Sequence, residues 1–126
     1  MRSPGSISDV LELLEETRKL AHTSSCVEII RRCNDLIEKS VKIALKKVGK
    51  DVRGPYSLDQ LKEAGLPSWY LEAVHDACSE AGILPFCTVM LDVPESREGC
   101  TKLDIKRALN ATEKVVMATE KFLETV

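Results

Sequence analysis

A chain of 126 residues is long enough to bury one core without staples, and it points to a single domain spanning 1–126. Apolar residues make up 44% and charged residues 30%, the balance of a charge-rich helical protein. A net charge of −2 excludes any overall attraction to nucleic acid or an anionic membrane, so such a partner would need a local patch.

Aromatics are scarce at 4%, which leaves the core to Leu, Ile, Val and Ala and favours helices packed on helices. The opening MRSPGSISD has no apolar signal-peptide core, and no apolar run approaches the roughly 18–20 residues that span a bilayer. A cytoplasmic location is the expectation. Ser6 or Ser8 caps a first helix running to about His22, with Asp9 and Glu12 at its positive end. Ile7, Val10, Leu11, Leu14 and Ala21 form its apolar face. The short link Thr23-Ser24 forces the next helix antiparallel.

That next helix, Ser25 to Gly49, organises the rest. Ser25 with Glu28 reads as a capping box, and Gly49 suits the left-handed residue that ends a helix. Ile30, Cys33, Ile37, Val41, Ala44 and Val48 recur at helical spacing, and Cys26, Ile29, Leu36, Ile43 and Leu45 add a second row. A stripe this wide predicts a helix touched from several sides. Lys50 to Tyr56 is a loop with a Gly-Pro turn. Ser57 and Gln60 open a short helix that closes at Gly65. Pro67 starts a fourth helix that stops at Gly82. From Ile83 to Cys100, Leu84-Pro85 and Val93-Pro94 disfavour helix, so the segment is expected to be an extended loop and the first place to look for a site. Thr101 and Asp104 cap a last helix that reaches the C-terminus and packs along the central one. The expected fold is all-α, an antiparallel up-and-down bundle of four to five helices with a long central helix and an extended loop before the last.

Five cysteines, at 26, 33, 78, 87 and 100, form no CxxC pair and no zinc spacing; they read as small buried hydrophobes, with disulfides as the other reading. His22 reads as a helix-terminal surface residue, and His75, near Glu72 and Asp76, as part of a solvated face. No HExxH and no glycine-rich phosphate loop occurs, so neither a metal nor another cofactor is expected, and no residue is assigned as catalytic. The strongest charge feature is the run Lys39, Lys42, Lys46, Lys47, Lys50 and Arg53 against Asp51 alone. Part of it complements the helix dipole. The rest is read as an anion site for a nucleotide phosphate or, less favoured, an RNA backbone: Lys46, Lys47, Lys50 and Arg53 supply charge, and Tyr56 a stacking surface. Residues 57–82 are acidic in turn, and opposed patches can meet in a symmetric dimer.

The order of these features resembles the HEPN family, the higher eukaryotes and prokaryotes nucleotide-binding domain. RRCNDLIEKSVKIALKKVGKD resembles its long second helix, GPYSLDQLKEAGLP the short helix after it, with Tyr56 where many members have His, and the final helix its Ala- and Val-rich ending. The resemblance implies a dimeric helical bundle, often encoded beside a minimal nucleotidyltransferase in a toxin–antitoxin-like pair. Ribonuclease members of the family separate an Arg from a His by four to six residues. The matching positions here hold Thr17, Glu16 and Glu15 before His22, and Tyr70, Trp69 and Ser68 before His75. A stretch resembling another family segment, Met90-Leu91-Asp92-Val93-Pro94, keeps Asp and Pro but lacks the Arg. The expectation is therefore a non-catalytic module that binds a nucleotide or a partner. The alternatives are a ribonuclease with displaced residues, using His75 with Arg31 or Arg97, and a purely structural dimer.

Overall fold

The structure, a computed structural model, describes residues 6–51, 54, 56–91 and 100–125. These form six helices and no strand: α1 (Ile7–Leu20), α2 (Cys26–Lys47), α3 (Leu58–Glu63), α4 (Ser68–Glu80), α5 (Pro85–Met90) and α6 (Lys102–Glu124). The long ones, α1, α2, α4 and α6, run up, down, up and down. Arg18 near the end of α1 pairs with Glu113 in α6, and Tyr70 near the start of α4 bonds Thr119 near the end of α6. Both neighbours are therefore antiparallel to α6, while α2 and α6 run parallel and share the largest interface.

Local chemistry sets the boundaries. Ser6, Ser25, Ser57 and Thr101 each accept a backbone N–H three residues on, satisfying groups that a helix start leaves without partners. The capping box is complete at Ser57/Gln60 and Thr101/Asp104. At α2 only the Ser25 half forms, because the Glu28 carboxylate turns to Arg32 at 3.2 Å. Gly49, at φ 76°, closes α2 in a Schellman turn: its N–H reaches Lys46 O at 3.0 Å, and Lys50 N–H reaches Leu45 O at 2.9 Å.

Burial follows the periodicity. Ile30, Cys33, Ile37, Val41 and Ala44 lie in the core, and from the second row so do Ile29, Leu36 and Leu45. α2 touches α1, α5 and α6; α6 touches α1, α2 and α4. A satellite cluster of Val10, Leu14, Leu36 and Val116 fastens α1 onto that pair. Small residues let three helices crowd α6: Ala108, Ala111 and Ala118 are buried, and Thr112 and Thr119 fold their hydroxyls onto carbonyls one turn back, at 2.7 and 2.9 Å.

The segment expected to be an extended loop contains a helix. Leu84 is extended, as a residue before proline should be, but Pro85 then serves as the first residue of α5, where its missing N–H costs nothing. The residue before α5 has no capping side chain. Asn34 of α2 does that work across the bundle, its Oδ1 accepting Phe86 N–H at 2.7 Å. Thr88 to Met90 is thus helical and largely buried rather than extended; Asp92, Val93 and Pro94 lie outside the described residues.

Four cysteines are paired. Cys26–Cys100 joins the starts of α2 and α6 across a Cα–Cα distance of 5.8 Å, and Cys78–Cys87 ties α4 to α5 across 4.9 Å, both within the range a disulfide spans. Cys33 is free, and buried as the small hydrophobe the sequence suggested. Burial raises its thiol pKa, against a smaller opposing effect of a hydrogen bond with Thr112. Closing a loop across 74 positions stabilises the fold by about 4 kcal/mol in the chain-entropy model. Reduction should therefore lower the melting temperature markedly. Cys26→Ser with Cys100→Ser should reproduce most of that drop, and a thiol titration of the unreduced, denatured chain should find Cys33 alone.

Candidate functional site

Of the residues expected to bind an anion, the structure brings Lys46 and Tyr56 together and takes Lys47 elsewhere. Lys46 and Tyr56 share a hollow of about 920 Å³ with Lys39, Lys42 and Gly54, but Asp35, Glu38 and Asp51 line it too. Three carboxylates match the three lysines, and Lys39 is already 3.1 Å from Asp35. The Tyr56 ring is only 4% exposed and packs on Phe86 with ring centroids 6.3 Å apart, so it is not a platform open to a base. Lys50 is exposed and stands outside this lining. Arg53 lies outside the described residues. Lys47 turns the other way: its ammonium donates to the carbonyls of Phe122 and Thr125 and lies 4.5 Å over the Phe122 ring. It closes the C-terminal end of α6, where free carbonyls and the helix dipole favour a cation.

A second concavity has a different balance. Arg18, Ala21 and His22 from the end of α1 face Lys102, Ile105, Lys106, Leu109 and Asn110 from the first half of α6 across a cleft of about 520 Å³. Antiparallel packing brings the end of one helix to the start of the other. Each contributes basic residues one turn apart, Arg18 with His22 and Lys102 with Lys106, so both pairs reach the same space. Ala21, Ile105 and Leu109 give an apolar floor, and among the described residues no carboxylate lines the wall. Glu113, just beyond it, pairs with Arg18 and orients the guanidinium. The Nε of Arg18 is buried with no hydrogen-bond partner among the described residues, a donor without an acceptor. An apolar floor rimmed by cations and one amide suits a planar, phosphorylated ligand, and the size falls in the range of small-molecule sites.

Of the polar residues here the sequence had singled out only His22, and only as a surface residue. The spaced basic pairs were visible, but nothing in a linear reading brings together positions some eighty residues apart. His75 is exposed on α4, and Arg31 lies on α2 at 3.9 Å from Glu28. Arg97 is outside the described residues. Among the described residues no group of three or more His, Cys, Asp or Glu is arranged to hold a metal, and no helix is long and apolar enough to cross a membrane. Comparison with protein-family models, with curated proteins and with solved structures gives no match.

Burial pushes the Tyr56 hydroxyl above its ordinary range, and the charges of Glu38 and Asp51 push it further. Tyr70, fully buried against α6, is raised as well, by burial that outweighs its hydrogen bond to Thr119. In both cases the folded state prefers the neutral phenol. The stability this adds is fully present below the ordinary tyrosine pKa of about 10 and is lost as pH rises through the raised folded value. The melting temperature should fall from about pH 10 upward. Tyr70→Phe should flatten that fall while costing about 1 kcal/mol at neutral pH, as read by denaturant titration.

Proposed function

We propose that this chain is a non-catalytic binding module of the HEPN type that holds the phosphate of a nucleotide in the cleft between α1 and α6. The observation that carries the reading is the wall of that cleft: Arg18, His22, Lys102 and Lys106 around an apolar floor, with no carboxylate among the described residues that line it. The hollow at the end of α2 matches each lysine with an acid, and Lys47 is engaged at the end of α6. The resemblance adds the setting: a homodimer acting beside a minimal nucleotidyltransferase.

A nucleoside triphosphate at ten times its dissociation constant should stabilise the fold by about 1.4 kcal/mol and raise the melting temperature by a few degrees. Lys102→Glu with Lys106→Glu should abolish the rise, and Lys46→Glu should leave it. No shift at millimolar nucleotide, or a shift lost with Lys46→Glu instead, overturns the assignment of the cleft.

One observation favours a second reading. Arg18 and His22 lie one turn apart on the same cleft, although their spacing in the chain is one residue short of the ribonuclease pattern. In that reading His22 would take the proton of the ribose 2′-hydroxyl, whose oxygen attacks phosphorus to form a cyclic phosphate. The bond to the 5′-oxygen breaks and that oxygen takes a proton from water, with Arg18, Lys102 and Lys106 beside the charge that builds on the phosphoryl oxygens. Cleavage of a single-stranded RNA that disappears in His22→Ala would establish this second reading.

A further inference from the structure

Cys26–Cys100 stands close to where the two walls of the α1–α6 cleft meet. Cys26 comes four residues after His22, across the Thr23-Ser24 link, and Cys100 comes two before Lys102. The bond therefore holds the start of α6 against the corner where α1 turns into α2. Burial does little to hold it there. From Lys102 to Arg107 no side chain is fully buried; Ile105 reaches the core in part, and the first fully buried residue of α6 is Ala108. The Thr101/Asp104 capping box acts within its own turn and ties it to no other helix. Yet this stretch supplies Lys102, Ile105 and Lys106, two cations and part of the floor of the cleft.

The two disulfides differ in access. Cys26 and Cys100 are half-buried, whereas Cys78 and Cys87 are both 0% exposed. Exchange begins when a thiolate attacks a disulfide sulfur, so a pair sealed in the core is closed to it. Position adds to the contrast. Cys26 is the first residue of α2 and Cys100 directly precedes the cap of α6. Both sulfurs therefore leave at the positive end of a helix, which favours a thiolate. Cys78 lies in the last turn of α4, at the opposite end of a dipole.

We infer that Cys26–Cys100 is an exchangeable latch on the cleft: a dithiol opens it and frees the start of α6, while Cys78–Cys87 stays closed. One thiolate of the dithiol attacks a sulfur of the pair. The S–S bond breaks, a mixed disulfide forms, and the other cysteine leaves as a thiolate and takes up a proton. The second thiolate of the dithiol then displaces the sulfur still bound, which leaves in the same way. Two electrons pass to the protein, the two protons given up by the dithiol end on Cys26 and Cys100, and the dithiol ends as its own disulfide. With the latch closed, Lys102 and Lys106 face Arg18 and His22 across the cleft. With it open, the turn that carries the two lysines frays from its neighbour and the cations no longer converge. The effect on ligand binding rests on the nucleotide reading of the cleft; the effect on α6 does not.

The test titrates the full chain with dithiothreitol at room temperature. Samples are quenched in acid, denatured, alkylated with a maleimide and mapped by mass spectrometry. Cys26 and Cys100 should become labelled at dithiol concentrations that leave Cys78 and Cys87 paired. At that point circular dichroism should keep its helix signal. Amide hydrogen exchange should quicken from Asp104 to Arg107 and stay slow at Val115 and Val116. ATP affinity should fall at least about tenfold, and the oxidised form of the dithiol should restore it. Cys26→Ser with Cys100→Ser should match the reduced chain and ignore the reductant. The inference is overturned if Cys78–Cys87 opens first or together with the other pair, or if exchange from Asp104 to Arg107 does not change. A helix signal that collapses on reduction overturns it too, since the bond is then a staple for the whole fold, and so does equal ATP binding in both states. ATP binding in neither state, with selective opening and faster exchange, refutes the nucleotide reading and upholds the latch.

Discussion

The parallel packing of α2 on α6 is the constraint from which the other features follow. In an up-and-down chain the second and fourth long helices run the same way, and here they are also the most intimate pair. Close approach requires thin side chains on one partner. α6 buries Ala108, Ala111, Thr112 and Ala118, with Thr112 bonded to Cys33 of α2, and α2 adds Ile30, Ile37 and Val41 to the same core. The seam is fastened at both ends by different chemistry. Cys26–Cys100 joins the helix starts, and the Lys47 ammonium bonds the last carbonyls of α6. Two parallel dipoles side by side do not attract each other, so the cross-link at one end and the cation at the other oppose a real tendency to splay.

With α2 and α6 fixed, α1 can only lie antiparallel along their groove, which places its C-terminal turn beside the first half of α6. The cleft arises from that meeting. Its cations are not expensive to place there, because they line a solvated opening rather than a core, and the Glu113 carboxylate takes up one guanidinium. The lysines at the end of α2 have a simpler account. One caps α6, one pairs with a neighbour a turn away, and the helix dipole favours the two in the last turn, Lys46 and Lys47.

The two disulfides bear on the cell as well as the fold. Such bonds persist in oxidising compartments and in the cytosol of hyperthermophiles. The paired cysteines fit either setting. The pairs also fasten two joints that the core does not reach well: the start of α6, where Cys26 and Cys100 are only half-buried, and the short α5, which has two turns at most and no capping residue of its own.

Ser57, Gln60, Thr101, Gly49 and the two apolar rows of α2 act within a turn or two of their own position. The helical class, the helix starts and stops and the buried face of α2 were therefore determined by the sequence by itself. α5 was not legible in this way, because the group that caps Phe86 is Asn34, fifty-two residues away. The cysteine pairs were hidden for the same reason, since spacing does not reveal which thiols the bundle brings within reach. The lysine run looked like a site because charge density along the chain is easy to see. Only the tertiary structure decided that Lys47 turns to α6, that three carboxylates line the hollow beside Lys46, and that Arg18, His22, Lys102 and Lys106 gather elsewhere. Secondary structure is written in neighbours along the chain, whereas a binding site is a meeting of side chains whose separation only packing can close.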